Sequence, residues 1–412
     1  MTPTLMYTAN FFRSKLSKSL LATPLVIGAF AANNALAAGT IKISEESNIS
    51  IGAGIRTQLN FAEDGAPDGD STSTDLDIGN LRLYVNGQVN DTVKFTVNTD
   101  RIDGEIDILD AIARFEFNEY FNVWAGLMLT PADRIEMNGP FYGLSWNQYT
   151  QPLFASDQDN PNDDVEGQAG TFGRDTGITI WGSADKFQYA FGLFDGVENG
   201  PNQSDNPLFA ARIAYNFLNK EDNPGYYTSS TYHGGLGNIF TLGASFQSQS
   251  DGVGNALESG DFTGFTVDLL SETVLAGGNV LTIEAEYKDF SSDFTSLSSP
   301  ELLTENQTLS GCEGPDGFCL FDGDSYFVTA AYMFKNKSTG DFSGDFQPYI
   351  RFVSNNPSDG NDSDLTELGL NYIIKGHNAR LNLNYSTGDA NISGFLLGDD
   401  VDVLSFGIQI QI

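Results

Sequence analysis

The sequence predicts an all-β fold, a transmembrane antiparallel β-barrel of about sixteen strands in an outer membrane. Residues 401–412 carry the pattern: Leu404, Phe406, Ile408 and Ile410 alternate with small or polar residues. Strand side chains point to opposite faces in turn, so one face is apolar and the other polar. The pattern recurs along the chain, and no segment beyond the N-terminus has the roughly 18 apolar residues that a membrane helix needs. In lipid, a closed barrel is the other way to pair every backbone group.

The N-terminus predicts export. Arg13, Lys15 and Lys18 precede an apolar run over residues 20–32, and an Ala-Leu-Ala motif ends at Ala37. These are the three parts of a cleaved signal peptide, so we expect residues 1–37 to be removed and 38–412 to form the barrel. A membrane anchor is the alternative, but the run is short and contains a proline.

Composition excludes one class of partner. The net charge is −35, and three of the 20 basic residues but no acid fall in the signal segment. The mature chain is therefore more acidic still, which argues against nucleic acid, whose phosphates require a basic surface.

The only cysteines, Cys312 and Cys319, predict a loop disulfide, since exported chains cross an oxidising compartment. Two free thiols or a metal pair are the alternatives, but two sulfurs alone do not make a zinc site. We expect no metal and no cofactor.

The alternation divides the chain into sixteen segments. We predict strands at residues 48–60, 76–87, 91–101, 105–117, 120–131, 173–184, 186–195, 207–218, 237–248, 262–273, 279–290, 323–335, 345–354, 364–375, 378–387 and 401–412. An even number of strands is the rule for bacterial single-chain barrels.

The connections between these segments also predict a barrel, because short periplasmic turns should alternate with long outer loops. They do, with two exceptions: 219–236 is long for a periplasmic turn, and the turn near Asp103 is tight for an outer loop. Aromatic residues lie near the short turns and predict an interfacial girdle. The girdle residues are Tyr84, Phe117, Tyr120, Phe121, Phe187, Tyr215, Phe217, Phe240, Tyr332, Phe334, Phe346 and Tyr372.

Charged residues fall on the polar face of the strands. Charge facing lipid near the midplane costs about 2–4 kcal/mol for Arg or Lys, so we expect these groups inside. The predicted pore-lining residues are Arg56, Arg82, Lys94, Arg114, Arg212, Lys288, Arg351, Arg380, Asp110, Glu116, Glu284, Glu286 and Glu367. Such a lattice predicts a wet lumen and offers anion contacts. The alternative is that Arg–Glu pairs only brace the wall.

The longest connection, residues 132–172, is the candidate constriction loop. Its charged residues are Arg134, Glu136, Asp157, Asp159, Asp163 and Asp164, among others. Loops of this length are usually functional or disordered, and one that folds inward would narrow the channel. A surface flap is the alternative.

Four segments resemble the phosphate-selective porin O and P family. They are LRLYVNGQVNDTVKFTVN at 81–98, DAIARFEFNEYFNVWAG at 110–126, RDTGI at 174–178 and YAFGLFDG at 189–196. The resemblance covers residues 48–218 and implies a sixteen-stranded, trimeric porin for passive uptake. The sequence departs from the family in two respects. The 132–172 loop has no lysine, where a lysine-rich constriction is expected, and the chain ends in Ile412 instead of phenylalanine.

Three classes of function were weighed. We expect a porin in the bacterial outer membrane that passes small hydrophilic solutes or ions, including anions such as phosphate. Its partners would be lipid and lipopolysaccharide. An enzyme is disfavoured, because His233 and His377 lie in predicted periplasmic connections without a G-x-S-x-G motif. The remaining alternative is a non-conducting structural or adhesive barrel, or a sheath for a partner protein.

Overall fold

The computed structural model describes most of the chain. It covers residues 39–102, 105–150, 152, 154–157, 170–221, 227–293, 309–310, 320–358, 361–390 and 400–412. The predicted signal segment 1–37, both cysteines (Cys312 and Cys319) and the loop acids Asp159, Asp163 and Asp164 lie outside these residues. Their proposed roles therefore stay predictions.

The described chain is almost entirely β-structure. The strands are β1 (Gly39–Lys42), β2 (Asn48–Ala62), β3 (Asp75–Gln88), β4 (Val93–Ile102), β5 (Glu105–Glu116), β6 (Asn122–Leu129), β7 (Arg174–Ala184), β8 (Phe187–Phe194), β9 (Leu208–Asn216), β10 (Ile239–Asn255), β11 (Glu258–Val274), β12 (Val280–Ser292), β13 (Leu309–Ser310), β14 (Leu320–Phe321), β15 (Gly323–Met333), β16 (Asp345–Pro357), β17 (Ser363–Lys375), β18 (Ala379–Gly388) and β19 (Val403–Gln411). Two 3₁₀ turns, Ala155–Asp157 and Ala276–Gly278, are the described helical pieces. Within the described ranges, no helix is both long and apolar enough to cross a membrane.

Sixteen of these strands close into an antiparallel barrel. Strands β2 to β12 and β15 to β19 each pair with the next, and β19 closes the ring on β2, with Val403 opposite Ala62 and Gln411 opposite Gly54. Strand β1 pairs with the first residues of β2, and β13 and β14 form a separate ribbon. The predicted sixteen-stranded fold is confirmed, and most strand bounds agree within a few residues.

The largest difference is the β10–β11 hairpin. The sequence predicted a loop over residues 249–261, but both strands continue to a turn at Ala256 and Leu257. Asn255 Oδ1 accepts the backbone N–H groups of Leu257 and Glu258 and closes this turn. The clear alternation of apolar and polar residues fades there, so periodicity could not mark the strand.

The two faces of the wall differ as alternation requires. Phe406, Ile408 and Ile410 are exposed on the outside, whereas Ser405 and Gln409 are buried inside. Most of the predicted girdle is exposed, with ring contacts that include Phe217–Phe240 (5.4 Å), Tyr332–Phe334 (4.7 Å) and Phe346–Tyr372 (4.8 Å).

The girdle prediction is wrong for Tyr84. Its side chain is 6% exposed and lies inside the barrel, on the same face of β3 as Arg82. The residue lies near a short turn, but its place in the alternation sends the ring inward, and alternation decides the side of the wall.

The connections define the two ends of the barrel. We call the end with the connections 89–92, 117–121, 185–186 and 376–378 the turn end, and the opposite end the loop end. Two segments enter the barrel interior. The plug loop, residues 130–150, 152 and 154–157, enters from the loop end, and the turn-end segment, residues 227–236, enters from the other.

Candidate functional site

The plug loop fills one side of the barrel interior. Phe141, Leu144, Tyr149 and Phe154 have no exposed surface, and Trp146 is 2% exposed. Such burial is possible for a loop only if its backbone polar groups find partners, because an unpaired buried carbonyl is costly.

Five wall side chains supply these partners for the loop carbonyls. We call this set the carbonyl clasp: Gln409 Nε2 to Phe141 O (2.9 Å), Arg380 Nη1 to Gly143 O (2.7 Å), Asn371 Nδ2 to Leu144 O (2.9 Å), Arg56 Nη2 to Trp146 O (2.6 Å) and Arg351 Nη1 to Asn147 O (2.9 Å). The donors come from β2 and β16 to β19, which are neighbours around the barrel. Arg56, Arg351 and Arg380 therefore lie inside the wall, and their guanidinium groups contact the plug loop.

Trp146 is the centre of the clasped region. The Arg56 guanidinium lies 4.0 Å from its ring centroid and that of Arg380 lies 5.4 Å away. The indole Nε1 donates to Gln58 Oε1 at 2.9 Å. The ring rests on Gly407, where an added Cβ would lie 2.3 Å from the indole. This position in β19 therefore requires glycine.

The start of the plug loop is held by buried charges on β12. Lys288 Nζ lies 3.1 Å from Asp133 Oδ2 and 3.0 Å from Glu136 Oε1, and it donates to Thr150 O at 2.8 Å. Burial raises the pKa of Glu136, and the nearby carboxylate of Asp157 raises it further. Asp157 itself accepts the Phe154 N–H at 3.0 Å.

A second charged cluster joins the plug loop to the turn end. Arg134 donates to both carboxylate oxygens of Glu221 (2.8 and 2.7 Å) and lies 3.3 Å from Asp268. Arg212 donates to the same Asp268. Burial alone would raise the pKa of Glu221, but the Arg134 charge and hydrogen bonds hold this pKa below its usual value.

The other predicted inward carboxylates also contact the inserted segments. Glu284 accepts from Ser230 Oγ of the turn-end segment, and Glu286 accepts the Ile135 N–H at 3.4 Å. Glu367 accepts from Tyr349 Oη and from Asn147 Nδ2 (3.3 Å). All three are buried. Their positions are inside the barrel, where they brace the inserted segments.

The turn-end segment was not predicted as part of the site. Its Thr228 Oγ1 donates to Arg134 O at 2.7 Å, and Thr231 Oγ1 donates to Glu272 Oε1 at 2.6 Å. The available signal was its length, since the predicted connection 219–236 was the one long turn on its side of the barrel.

Open space remains on the other side of the plug loop. A cavity of about 150 Å³ lies between Met137, Gly139 and Tyr142 of the loop and the wall formed by β3 to β7. Arg82, Arg114 and Asp110, all predicted to face inward, line it together with Arg174 and five aromatic side chains. The five are Tyr84, Trp124, Tyr142, Tyr227 and Tyr232.

Each arginine at the cavity has an acidic partner. Arg82 Nε lies 2.7 Å from Asp100, Arg174 Nε lies 3.2 Å from Asp110, and Arg114 pairs with Glu116. Lys94 Nζ shares the same Glu116 at 2.7 Å. Lys94 and Glu116 thus lie beside the cavity, inside the wall.

Arg174 and Trp124 of the cavity wall were not among the predicted site residues. Arg174 is the first residue of β7, and since Ile178 and Ile180 face outward, strict alternation would turn it outward too. It points inward because, at this end of β7, its side chain reaches Asp110 of β5. Trp124 lies in β6, where Arg114 sits 4.8 Å above its ring. Trp124 lies opposite Arg114 in the β5–β6 register, a pairing that only the structure shows.

Several solved structures have a similar fold. The anion-selective porin from Comamonas acidovorans matches with a TM-score of 0.56 and 13% identity, over 89% of this chain and all of that one. OmpT, an outer membrane protein of Vibrio cholerae, matches with a TM-score of 0.52 and 15% identity, over 91% of this chain and all of that one. The trimer form of OmpT matches with a TM-score of 0.53 and 13% identity, over 89% of this chain and all of that one. No protein-family model matches the sequence. No curated protein is significantly similar to it. At these identities the likeness establishes one thing, a porin-type barrel fold.

Proposed function

We propose that this protein is an outer-membrane porin through which small hydrophilic solutes and ions diffuse passively. The observation that carries the proposal is the arrangement inside the barrel. The plug loop is fastened to β2 and β16 to β19, and it leaves a charged cavity along β3 to β7. Ligand and solute sites in proteins are typically concave spaces of this kind with a few convergent polar groups.

The charges at the cavity support a weak preference for anions. Four bases (Arg82, Lys94, Arg114 and Arg174) face three acids (Asp100, Asp110 and Glu116) in the ion pairs beside it. Charged rings along a pore set the preference for permeant ions. Because every base has an acidic partner, we propose general diffusion with a slight anion preference and no dedicated phosphate site. The absence of lysine from the plug-loop sequence agrees with this.

The surroundings of the barrel are part of the same proposal. The basic N-terminal segment with its Ala37 cleavage motif supports export, and the exposed apolar outer face supports insertion into the outer membrane. Its partners there would be lipid and lipopolysaccharide. We also propose a homotrimer, as the resemblance to the porin O and P family implies. A trimer form is described for one of the similar structures.

The test is the single-channel conductance and reversal potential of the refolded protein in planar bilayers under a KCl gradient. Replacing Arg82 and Arg114 with Glu should shift the reversal potential toward cation preference. Arg101→Glu is the matched control, because Arg101 is partly exposed and pairs with the exposed Asp77. An unchanged reversal potential in the double variant would remove these residues from the conducting path.

A second candidate is a non-conducting structural barrel. It is favoured by the packed half of the interior, where Phe141, Tyr149, Arg351 and Arg380 are at most 1% exposed. A correctly folded barrel that passes no current would support this candidate and exclude the porin.

A further inference from the structure

The two histidines of the chain meet at the turn end of the barrel. The ring centroids of His233 and His377 lie 4.7 Å apart, with an angle of 47° between the planes. His233 belongs to the turn-end segment, and His377 belongs to the turn between β17 and β18. The tilted pair of rings therefore joins an inserted segment to the barrel rim.

Their ring nitrogens are shielded from solvent and mostly without partners. His377 Nε2 lies 2.9 Å from the Thr231 carbonyl oxygen, which can only accept, so this nitrogen carries the proton of the neutral ring. His377 Nδ1 and both nitrogens of His233 have no hydrogen-bond partner among the described residues. A proton added to either nitrogen of His233 would be buried without an acceptor in the described surroundings, which is costly. At His377 the backbone of Thr231 and of Phe141 favours the charged ring, but by less than burial disfavours it.

The pair also contacts the plug loop and the last strand. Tyr142 packs its ring edge-on against His377, with centroids 5.1 Å apart. Gln409 and Gln411 donate to the His377 carbonyl at 2.6 and 3.1 Å. Plug loop, turn-end segment and barrel rim thus meet at one point, and Ser229 Oγ lies 3.5 Å from His377 Nε2.

The charged groups around the pair are of both signs. The positive charges of Arg380 in β18 and Lys335 after β15 disfavour protonation of His233, and Arg380 also disfavours protonation of His377. On the other side, Glu272 of β11 accepts the Tyr232 and Gly234 N–H groups (3.0 and 3.2 Å). Glu221 accepts from Tyr232 Oη at 2.9 Å and is bound to Arg134, whose Nη1 also donates to Ser229 O. Tyr142 is the other titratable group in contact.

These surroundings keep both rings neutral at physiological pH. Burial lowers the pKa of His233 well below the usual range, and the neighbouring His377 and Arg380 lower it further. Burial and then Arg380 lower the pKa of His377 to about 4. The closed arrangement is therefore the neutral one, and it loses stability as the pH falls below the ordinary histidine pKa of about 6.5.

We propose that the His233–His377 pair is an acid-operated latch that holds the turn-end segment inside the barrel. At neutral pH the neutral rings pack against each other and the turn-end segment stays inside the barrel. In acid an imidazolium would face a second ring and Arg380 in a buried place, so the segment moves out and the turn end of the channel widens. The latch extends the proposed porin function and depends on it only for the conductance readout.

The magnitude follows from the difference between the free and the latched histidine. For His377, a pKa lowered from 6.5 to about 4 means that acidification to pH 4 favours the open arrangement by about a hundredfold relative to pH 7. We therefore expect the single-channel conductance, corrected for the bulk electrolyte, to rise between pH 7.5 and pH 4. Hydrogen exchange of residues 227–236, corrected for its intrinsic pH dependence, should accelerate over the same interval.

The variant that tests the latch is His233→Asn combined with His377→Gln. His233 has φ of 53°, a left-handed conformation that asparagine tolerates, and a glutamine amide can replace the Nε2 donor to Thr231 O. We expect conductance and exchange in this variant to be independent of pH. Glu272→Gln is the matched control and should keep the pH response.

The outcomes are separable. No current at any pH, with exchange that responds to acid in the wild type and in Glu272→Gln but not in the His233→Asn/His377→Gln variant, would exclude the porin and leave the latch. A wild type whose exchange is unchanged at pH 4 would overturn the latch. So would an acid response of the exchange that persists in the His233→Asn/His377→Gln variant. If that response disappears in Glu272→Gln, the carboxylate is the group that titrates.

Discussion

Trp146 is the residue whose loss should most directly reveal how the plug loop is held. Its indole is 2% exposed and lies between Arg56 and Arg380, over Gly407. Truncating a buried tryptophan to alanine typically costs about 3–5 kcal/mol. The two cation–π contacts account for roughly 0.5–2 kcal/mol each, and the Nε1 bond to Gln58 for about 0.5–1.5 kcal/mol. We expect Trp146→Ala to lower the free energy of unfolding by about 3–5 kcal/mol.

The carbonyl clasp decides what happens to the loop in this variant. All five bonds of the clasp are made by the loop backbone, so none is deleted with the indole. Each bond contributes about 0.5–1.5 kcal/mol, so the five together are comparable to the stability lost with the indole. We therefore expect the plug loop to stay inside the barrel, with a looser contact to β2 and β19. The channel should then conduct more current, because space opens beside the loop.

The assay is urea unfolding of the refolded barrel in detergent, followed by the fluorescence of Trp124 and Trp181, with single-channel conductance measured in parallel. Phe334→Ala is the control, because this aromatic side chain is 54% exposed outside the barrel. Two results together would refute the reasoning: an unchanged conductance, and a fall in the free energy of unfolding of less than about 1 kcal/mol for Trp146→Ala. A fall of that size is within the range of ordinary substitutions.

Two further predictions concern the same loop. Gly407→Val should displace the indole, since even a Cβ would lie 2.3 Å from it, and the double variant with Trp146→Ala should be destabilised by less than the sum of the two. A double-mutant cycle in urea measures this, and additivity would contradict the contact. Lys288→Met leaves Asp133 and Glu136 without their buried cation and should cost about 3–5 kcal/mol at pH 7.5. Because burial already raises the pKa of Glu136, the carboxylates should take up protons on acidification, so the loss should shrink at pH 5. An equal loss at both pH values would count against the ion cluster.

Much of the barrel could be predicted from the sequence because lipid imposes a strict rule on strands. Leu404, Phe406, Ile408 and Ile410 must face outward if Ser405 and Gln409 face inward, and the same alternation assigned the charged side chains to the interior. The rule fails where lipid no longer imposes it. The β10–β11 hairpin extends to Asn255 and Glu258 without a clear alternation, and Arg174 at the start of β7 turns inward against it.

The sequence by itself thus determined the number of barrel strands, most of their extent and the side of the wall for the charges within them. These depend on a period of two residues and on the cost of charge in lipid. It could not determine what each inward charge contacts. Arg56 and Arg380 bind the carbonyls of a loop 90 or more residues away, whereas Arg82 and Arg114 line the remaining cavity, although all four follow the same local pattern. Only the closed barrel, which brings β2 next to β19 and places the plug loop against one side of the wall, separates those two roles. The contact between His233 and His377 has the same origin. The turn-end segment and the turn between β17 and β18 are far apart in the chain and become neighbours only when the ring of strands closes.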